Sequence, residues 1–240
     1  MGEGCGNDAD LMRYISSANI ACGFHAGDDA TMERTIDLAL ENDVAIGAHP
    51  GYPDRENFGR TPMNISPKKI HEIVCEQIST LSAIAEKKGA RLSHVKAHGA
   101  MYNQAARDCE MSAAIAEAVH DHDPNLVLFC LSGSVMVVEA HRRGLRTANE
   151  VFADRTYQAD GSLTPRTRAD ALIDDPDTAV AQALSMIRKH SVIATDGTTV
   201  NLAADTLCIH GDGPHALDFA VALHDRLRLN GVHIAALRAA

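Results

Sequence analysis

Short apolar runs alternate with longer amphipathic ones along the chain, the pattern of strands and crossover helices around a parallel sheet. The predicted strands cover residues 19–23, 44–48, 94–97, 126–131, 146–151 and 206–210. Asp28 or Asp29 caps a helix running to about residue 42, and Ser66, with Pro67 at the first helical position, opens a longer one that Gly89 closes. Within that helix Ile70, Val74, Ile78, Leu81 and Ile84 or Ala85 recur at helical spacing, so one stripe faces a core. Further helices are predicted over residues 111–122, 134–143, 176–189 and 214–229. Residues 153–174 form a long polar segment with little periodicity, and loops of that length are more often functional than idle. No repeat, low-complexity tract or linker divides the chain. One α/β domain over residues 1–240, barrel-like or doubly wound, is expected.

Composition narrows the function classes. Hydrophobic residues at 45% and charged residues at 22% are ordinary for a chain that folds alone. A formal net charge of −10 repels a phosphate backbone, and the lysines and arginines do not cluster, so no nucleic-acid partner is expected. The six cysteines are scattered without a CxxC pair, which suits a reducing, cytoplasmic setting. No stretch reaches the ~20 apolar residues of a spanning helix, and no signal-peptide pattern opens the chain, so no membrane partner is expected.

The candidate chemistry is positional. Phe24-His25-Ala26-Gly27-Asp28 follows the first predicted strand, and His49-Pro50-Gly51-Tyr52-Pro53-Asp54 the second. Lys96-Ala97-His98-Gly99 ends the third, Ala153-Asp154-Arg155-Thr156-Tyr157 follows the fifth, and His210-Gly211-Asp212-Gly213 the sixth. In parallel α/β folds the carboxyl ends of strands form the mouth where ligands bind. A single histidine there is usually a satisfied structural residue; the repetition argues for a shared site. His25, Asp28, His49, Asp54, His98, Asp154, His210 and Asp212 supply acid/base pairs, while Lys96 and Arg155 suit an oxyanion or a carboxylate. That set fits hydrolysis at a carbonyl, and it fits equally a divalent metal, with His25, His49, His98 and His210 as candidate ligands. The motifs of P-loop ATPases, zincins, α/β-hydrolases and dinucleotide enzymes are absent. His120-Asp121-His122-Asp123 sits at a predicted helix end and reads as dipole-favoured surface charge. Ser132-Gly133-Ser134 reads as a helix cap.

Taken in order, these segments resemble one family. The stretch from Ser17 to Asp28, the run Gly47-Ala48-His49-Pro50-Gly51-Tyr52-Pro53-Asp54, Phe58-Gly59-Arg60, and Val95-Lys96-Ala97-His98-Gly99-Ala100-Met101-Tyr102-Asn103 are similar to LamB/YcsF proteins, as are Glu150–Arg155 and Cys208–Asp212. The resemblance runs over nearly the whole chain. It implies an irregular seven-stranded (β/α) barrel of the glycoside hydrolase/deacetylase type. It also implies the A component of a 5-oxoprolinase, which opens the 5-oxoproline lactam to L-glutamate with ATP and two partner subunits, B and C. With no nucleotide motif in this chain, phosphorylation falls largely to the partners and hydrolysis to this polypeptide. The same resemblance adds Glu3, Asn19, Arg60, Tyr102, Asn103, Arg155 and Tyr157 as substrate-binding positions.

Two departures stand out. The family usually begins with a strand reading Asp-Leu-Asn-Cys-Asp-Leu-Gly-Glu, whereas this chain opens Met1-Gly2-Glu3-Gly4, so the first barrel strand is expected to be truncated. Ala97 stands where the family commonly has proline, which alters loop rigidity while Lys96 and His98 remain. Two other functions stay open at this point: a stand-alone metal-dependent deacetylase or amidohydrolase acting on a small amide, and a non-catalytic binding component. The sequence leaves open whether the chain forms a homo-oligomer and which metal, if any, it takes.

Overall fold

In the computed structural model, which describes residues 1–213 and 215–237, the first four apolar runs become parallel strands: β1 (Ser17–Ala21), β2 (Ala45–His49), β3 (His94–Val95) and β4 (Val127–Leu131). Nearly all of them belong to the first of two units, Met1–Cys130 with Ser134–Thr147 and residues from Ala235; the second comprises Leu131–Gly133 and Ala148–Ile234. Every residue of β2 and β4 is buried, as expected of parallel strands covered on both faces.

Register fixes which side chains share a face. Asn19 lies beside Gly47, Ala21 beside His49, Gly47 beside His94 and His94 beside Val127. Because side chains alternate along a strand, Asn19, Gly47 and His94 form one layer and Ala21 and His49 the next. The ladder continues past β3, with Lys96 N donating to the Ala48 carbonyl and His98 N to that of Pro50. On the other side of β1, Met1 N donates to Asn19 O at 2.9 Å and Ala21 N to Met1 O at 3.0 Å, which delivers Glu3 to the same end of the sheet.

Helices of the first unit start where the sequence offers caps. The Asp28 carboxylate accepts from Thr31 N and opens α2 (Asp29–Glu41), after the short α1 (Asp8–Leu11). Ser66 and Pro67 open α3 (Pro67–Lys87), whose buried stripe includes Ile70, Val74, Ile78, Leu81 and Ala85. Next come α4 (Gly99–Ala105), α5 (Cys109–His122), opened by the Asp108 carboxylate, and α6 (Val135–Arg142). The boundaries predicted from caps and periodicity agree to within two residues for α2, α3, α5 and α6. By contrast α1 and α4 are too short to show a period, and the sequence pattern misses them.

In the second unit β5 (Arg146–Phe152) pairs in parallel with β8 (Thr206–Cys208), Val151 beside Leu207. Its core is made by α7 (Pro176–Lys189) and α8 (Ala216–Leu229), whose Ala179, Val180 and Ala183 cluster with Phe219, Leu223 and Leu227. The sequence-predicted start of that last helix, Pro214, lies outside the described residues. An unpredicted hairpin, β6 (Ser191–Ile193) with β7 (Thr199–Asn201), lies between them in sequence. The polar segment 153–174 is an ordered loop, with bridges between Arg155 and Leu172 and between Tyr157 and Leu163.

The layer of Asn19, Gly47 and His94 makes a test of the register. His94 lies flat on Phe129, centroids 4.2 Å apart, and Nε2 bonds the Asn19 side-chain oxygen at 3.0 Å. A Cβ on Gly47 would stand 2.0 Å from that same Nε2. Since the imidazole is fully buried and cannot retreat, Gly47→Ala is expected to lower stability by about 3 kcal/mol or more. Urea unfolding of the purified variant checks this, and a change under ~1 kcal/mol would contradict the register.

Candidate active site

Three histidines meet at the carboxyl ends of β1, β2 and β3. His25 stands on the turn after β1, which is closed by Gly23 N on Ala26 O and by the Arg55 guanidinium donating to Gly27 O at 2.7 Å. His49 is the last residue of β2, and His98 follows β3 directly before α4. Their relative exposures are 1%, 9% and 6%, so all three are withdrawn from bulk water. The His25 and His98 rings stack with centroids 3.8 Å apart, and the His49 ring meets His98 edge-on at 4.8 Å. Glu3 Oε1 lies 3.4 Å from His25 Nε2 and 3.8 Å from His98 Nδ1.

Backbone carbonyls fix the ring orientations. His49 Nδ1 lies 2.6 Å from Lys96 O, and His98 Nε2 lies 2.8 Å from Phe58 O. The remaining nitrogens, His49 Nε2 and His98 Nδ1, face each other at 3.1 Å. Phe58 can aim its carbonyl there because it adopts a left-handed backbone conformation, φ 57°, uncommon for a bulky residue and costing of order 1 kcal/mol or more. Gly59 follows at φ 63°, and a Cβ on it would come within 2.8 Å of the His25 Cβ, so the loop crosses the rings at a distance only glycine allows. Arg60 lies over the Phe58 ring at 4.9 Å, and the Lys96 ammonium stands 5.5 Å from the buried Tyr102 ring.

Burial sets the charge state. It depresses His49 well below the ordinary imidazole range, helped by the positive charge of its neighbours, and it lowers His98 to about 3, with His25 adding to the effect and Glu3 opposing it. Burial likewise takes His94 to about 3. For Glu3 burial acts the other way, but the Met1 ammonium and the bond to His25 outweigh it and hold the carboxyl below its usual range. His49 and His98 therefore stand uncharged beside the Glu3 carboxylate at neutral pH.

The second unit holds its own pair. Asp154 Oδ2 lies 2.6 Å from His210 Nδ1 and accepts from His210 N, and these bonds outweigh burial and lower the Asp154 pKa. Arg155 donates Nε to Ala171 O, and the Tyr157 hydroxyl accepts from Phe152 N, so both brace the loop that follows β5.

The expected residues thus divide by location. Glu3, His25, His49 and His98 gather in the first unit, with Lys96, Arg60 and Tyr102 around them. Asn19 lies in the layer of His94, one step back along the strands. Asp28 is engaged as an exposed helix cap, Asp54 accepts from the Asn57 amide, and Asn103 donates to Gly99 O. Asp212 is exposed just after β8. Three glutamines escaped the sequence reading. Gln77 of α3 bonds both N–H and C=O of Gly51, Gln104 of α4 bonds the Tyr52 hydroxyl and both groups of Met63, and Gln182 of α7 donates to the Phe152 and Arg155 carbonyls. Gln77 left one trace, an amide inside an otherwise apolar stripe.

Parallel strands followed by helices, with histidines and a carboxylate converging at the strands' carboxyl ends, define an α/β protein with a candidate active site where this architecture ordinarily binds ligands. The chain matches the LamB/YcsF family model over residues 1–240 and belongs to that family. The A component of the 5-oxoprolinase from Oceanobacillus iheyensis is 52% identical over 229 residues, covering 95% of this chain and 89% of that protein. Its counterpart from Bordetella parapertussis is 53% identical over 231 residues, 96% and 92% respectively. A crystal structure of the lactam utilization protein from Thermus thermophilus aligns with a TM-score of 0.90 at 43% identity, over 96% of this chain and 92% of that one. The expected α/β class and family fold are thereby established. Among the described residues no helix is long and apolar enough to cross a membrane.

The buried histidines carry a pH signature. Unfolded imidazoles titrate near 6.5, whereas His94 and His98 fold with values of about 3 and His49 lies well below 6.5. As pH falls below about 6.5 the unfolded chain takes up protons that the folded chain refuses, so folding stability drops. The expected slope is roughly 1.4 kcal/mol per pH unit for each histidine, continuing down to about pH 3 for His94 and His98. Urea midpoints measured from pH 7 to 4 test this, and a flat profile would contradict the buried, uncharged state.

Proposed function

We propose that this chain is the A component of an ATP-dependent 5-oxoprolinase and opens the 5-oxoproline lactam to L-glutamate together with its partner subunits B and C. The observation that carries this reading is identity above 50% along nearly the whole chain to proteins bearing that name. The name given to the Thermus thermophilus neighbour, a lactam utilization protein, agrees with it.

The site suits the chemistry. An unstrained lactam resists water because its nitrogen lone pair is delocalised into the carbonyl. Phosphorylation of the lactam oxygen, assigned here to ATP on the partners, removes that resistance, and hydrolysis falls to this chain. Water must then lose a proton as it attacks the lactam carbon, and the His25 imidazole, stacked on His98 with its buried Nδ1 unpartnered among the described residues, is the group placed to take it. Arg60 and Lys96 supply positive charge near the cluster for the substrate carboxylate or a developing oxyanion. The Asp154–His210 pair, in which a carboxylate orients the imidazole, is a further acid/base candidate in the second unit.

Glutamate release from 5-oxoproline is the test, measured with ATP and with or without the B and C partners. Release that needs both ATP and partners is expected, and His98→Ala is expected to lower kcat by about 100-fold or more while the complex still assembles. No release with all three components folded and present would overturn the reading. Release from this chain alone without ATP would replace it with a stand-alone amidohydrolase.

A further inference from the structure

The contact between His49 and His98 poses a problem of hydrogen bookkeeping. A carbonyl oxygen only accepts, so the ring nitrogen facing it must carry the hydrogen. Lys96 O therefore places the hydrogen of His49 on Nδ1, and Phe58 O places that of His98 on Nε2. Each neutral ring then has a bare lone pair on its other nitrogen, and those two nitrogens point at each other across 3.1 Å. A third group beside them is also an acceptor, the Glu3 carboxylate, 3.8 Å from His98 Nδ1. Three lone-pair donors converge with no hydrogen of their own to share.

From this we propose that Glu3, His49 Nε2 and His98 Nδ1 hold a divalent cation of the zinc type. The three ligand atoms lie within 4.8 Å of one another. Around tetrahedral zinc, with bonds of about 2.0–2.2 Å, ligand atoms stand roughly 3.3–3.5 Å apart, so side-chain adjustments of up to about 1 Å close the site. Two histidines and one glutamate are a ligand set that leaves a coordination position open for water or a substrate oxygen.

The surroundings are those of a metal site. Ligating histidines almost always donate their other N–H to a backbone carbonyl or carboxylate, as both rings do here. Glu3 is held in turn by His25, 3.4 Å away and stacked on His98. The left-handed Phe58 also gains a purpose, since its carbonyl selects the tautomer that bares Nδ1. The cluster of half-buried His71 and Cys75 with exposed Asp121 lacks such support, because its imidazole is spent on the aspartate and, among the described residues, no carbonyl fixes the ring. The role of the cation in lactam opening rests on the 5-oxoprolinase reading; its binding does not.

Chelator-stripped chain, without partners, is titrated with Zn²⁺ and Co²⁺ by calorimetry and visible absorption. The expected result is one ion per chain, with cobalt giving the d–d bands of a low-coordinate nitrogen and oxygen site. Glu3→Gln and His98→Gln should each weaken binding by about 100-fold, and Asp121→Ala at the surface cluster should leave it unchanged. Should His98→Gln fail to fold, Glu3→Gln, a near-isosteric change at the partly open side of the site, decides alone. A folded wild-type chain that binds no stoichiometric ion, or binding that survives both substitutions, overturns the inference. A chain that binds one ion but yields no glutamate with its partners would support the cation site and remove that reading.

Discussion

The parallel ladder joining β1, β2 and β3 is what the first unit's chemistry depends on. It sets Ala21 beside His49 and Gly47 beside His94, and its continuation from Lys96 N to Ala48 O and from His98 N to Pro50 O carries the order beyond the last strand residue. A slip of one residue would turn His49 and His98 to the opposite face of the sheet. Gly47 prevents the slip, because only a residue without a side chain fits against the His94 ring. The site is therefore held by packing deep in the sheet as well as by contacts at its mouth.

Burying so many polar groups demands partners, and the fold supplies most of them from backbone carbonyls and side-chain amides. Carbonyls of Lys96 and Phe58 serve His49 and His98, and the Asn19 amide serves His94. Amides on helices do the same for the loops: Gln77 clamps Gly51, Gln104 ties Tyr52 to Met63, and Gln182 gathers carbonyls at the start of the loop after β5. Each such bond contributes about 1 kcal/mol, but an unpaired buried group costs more, so these amides matter chiefly for what their absence would expose. Loops next to the candidate site residues are in this way fastened to helices.

Electrostatically the cluster is poised rather than neutralised. Withdrawal from water keeps His49 and His98 uncharged, while the Met1 ammonium and the bond to His25 hold Glu3 ionised beside them. Neutral imidazoles are bases and ligands, whereas imidazolium ions are neither. The same burial that costs stability in acid is thus what leaves nitrogen lone pairs available, and the strained Phe58 turn directs one of them.

Much of this was legible in the sequence. Among the described residues, apolar runs and caps located β1 to β5, β8 and six of the helices, because burial and N-terminal capping leave local signatures. Polar residues after each strand marked Glu3's neighbours His25, His49 and His98, and the long motifs around them marked the family. Tertiary structure alone decided the rest. It separated Asp28, a capping residue, from the cluster that the sequence grouped it with, since a carboxylate before a helix reads the same in either role. It assigned Gln77, Gln104 and Gln182 their tasks, which depend on partners 26 to 52 residues away. It also fixed which nitrogen of each imidazole carries hydrogen, a choice made by carbonyls that only folding brings into reach.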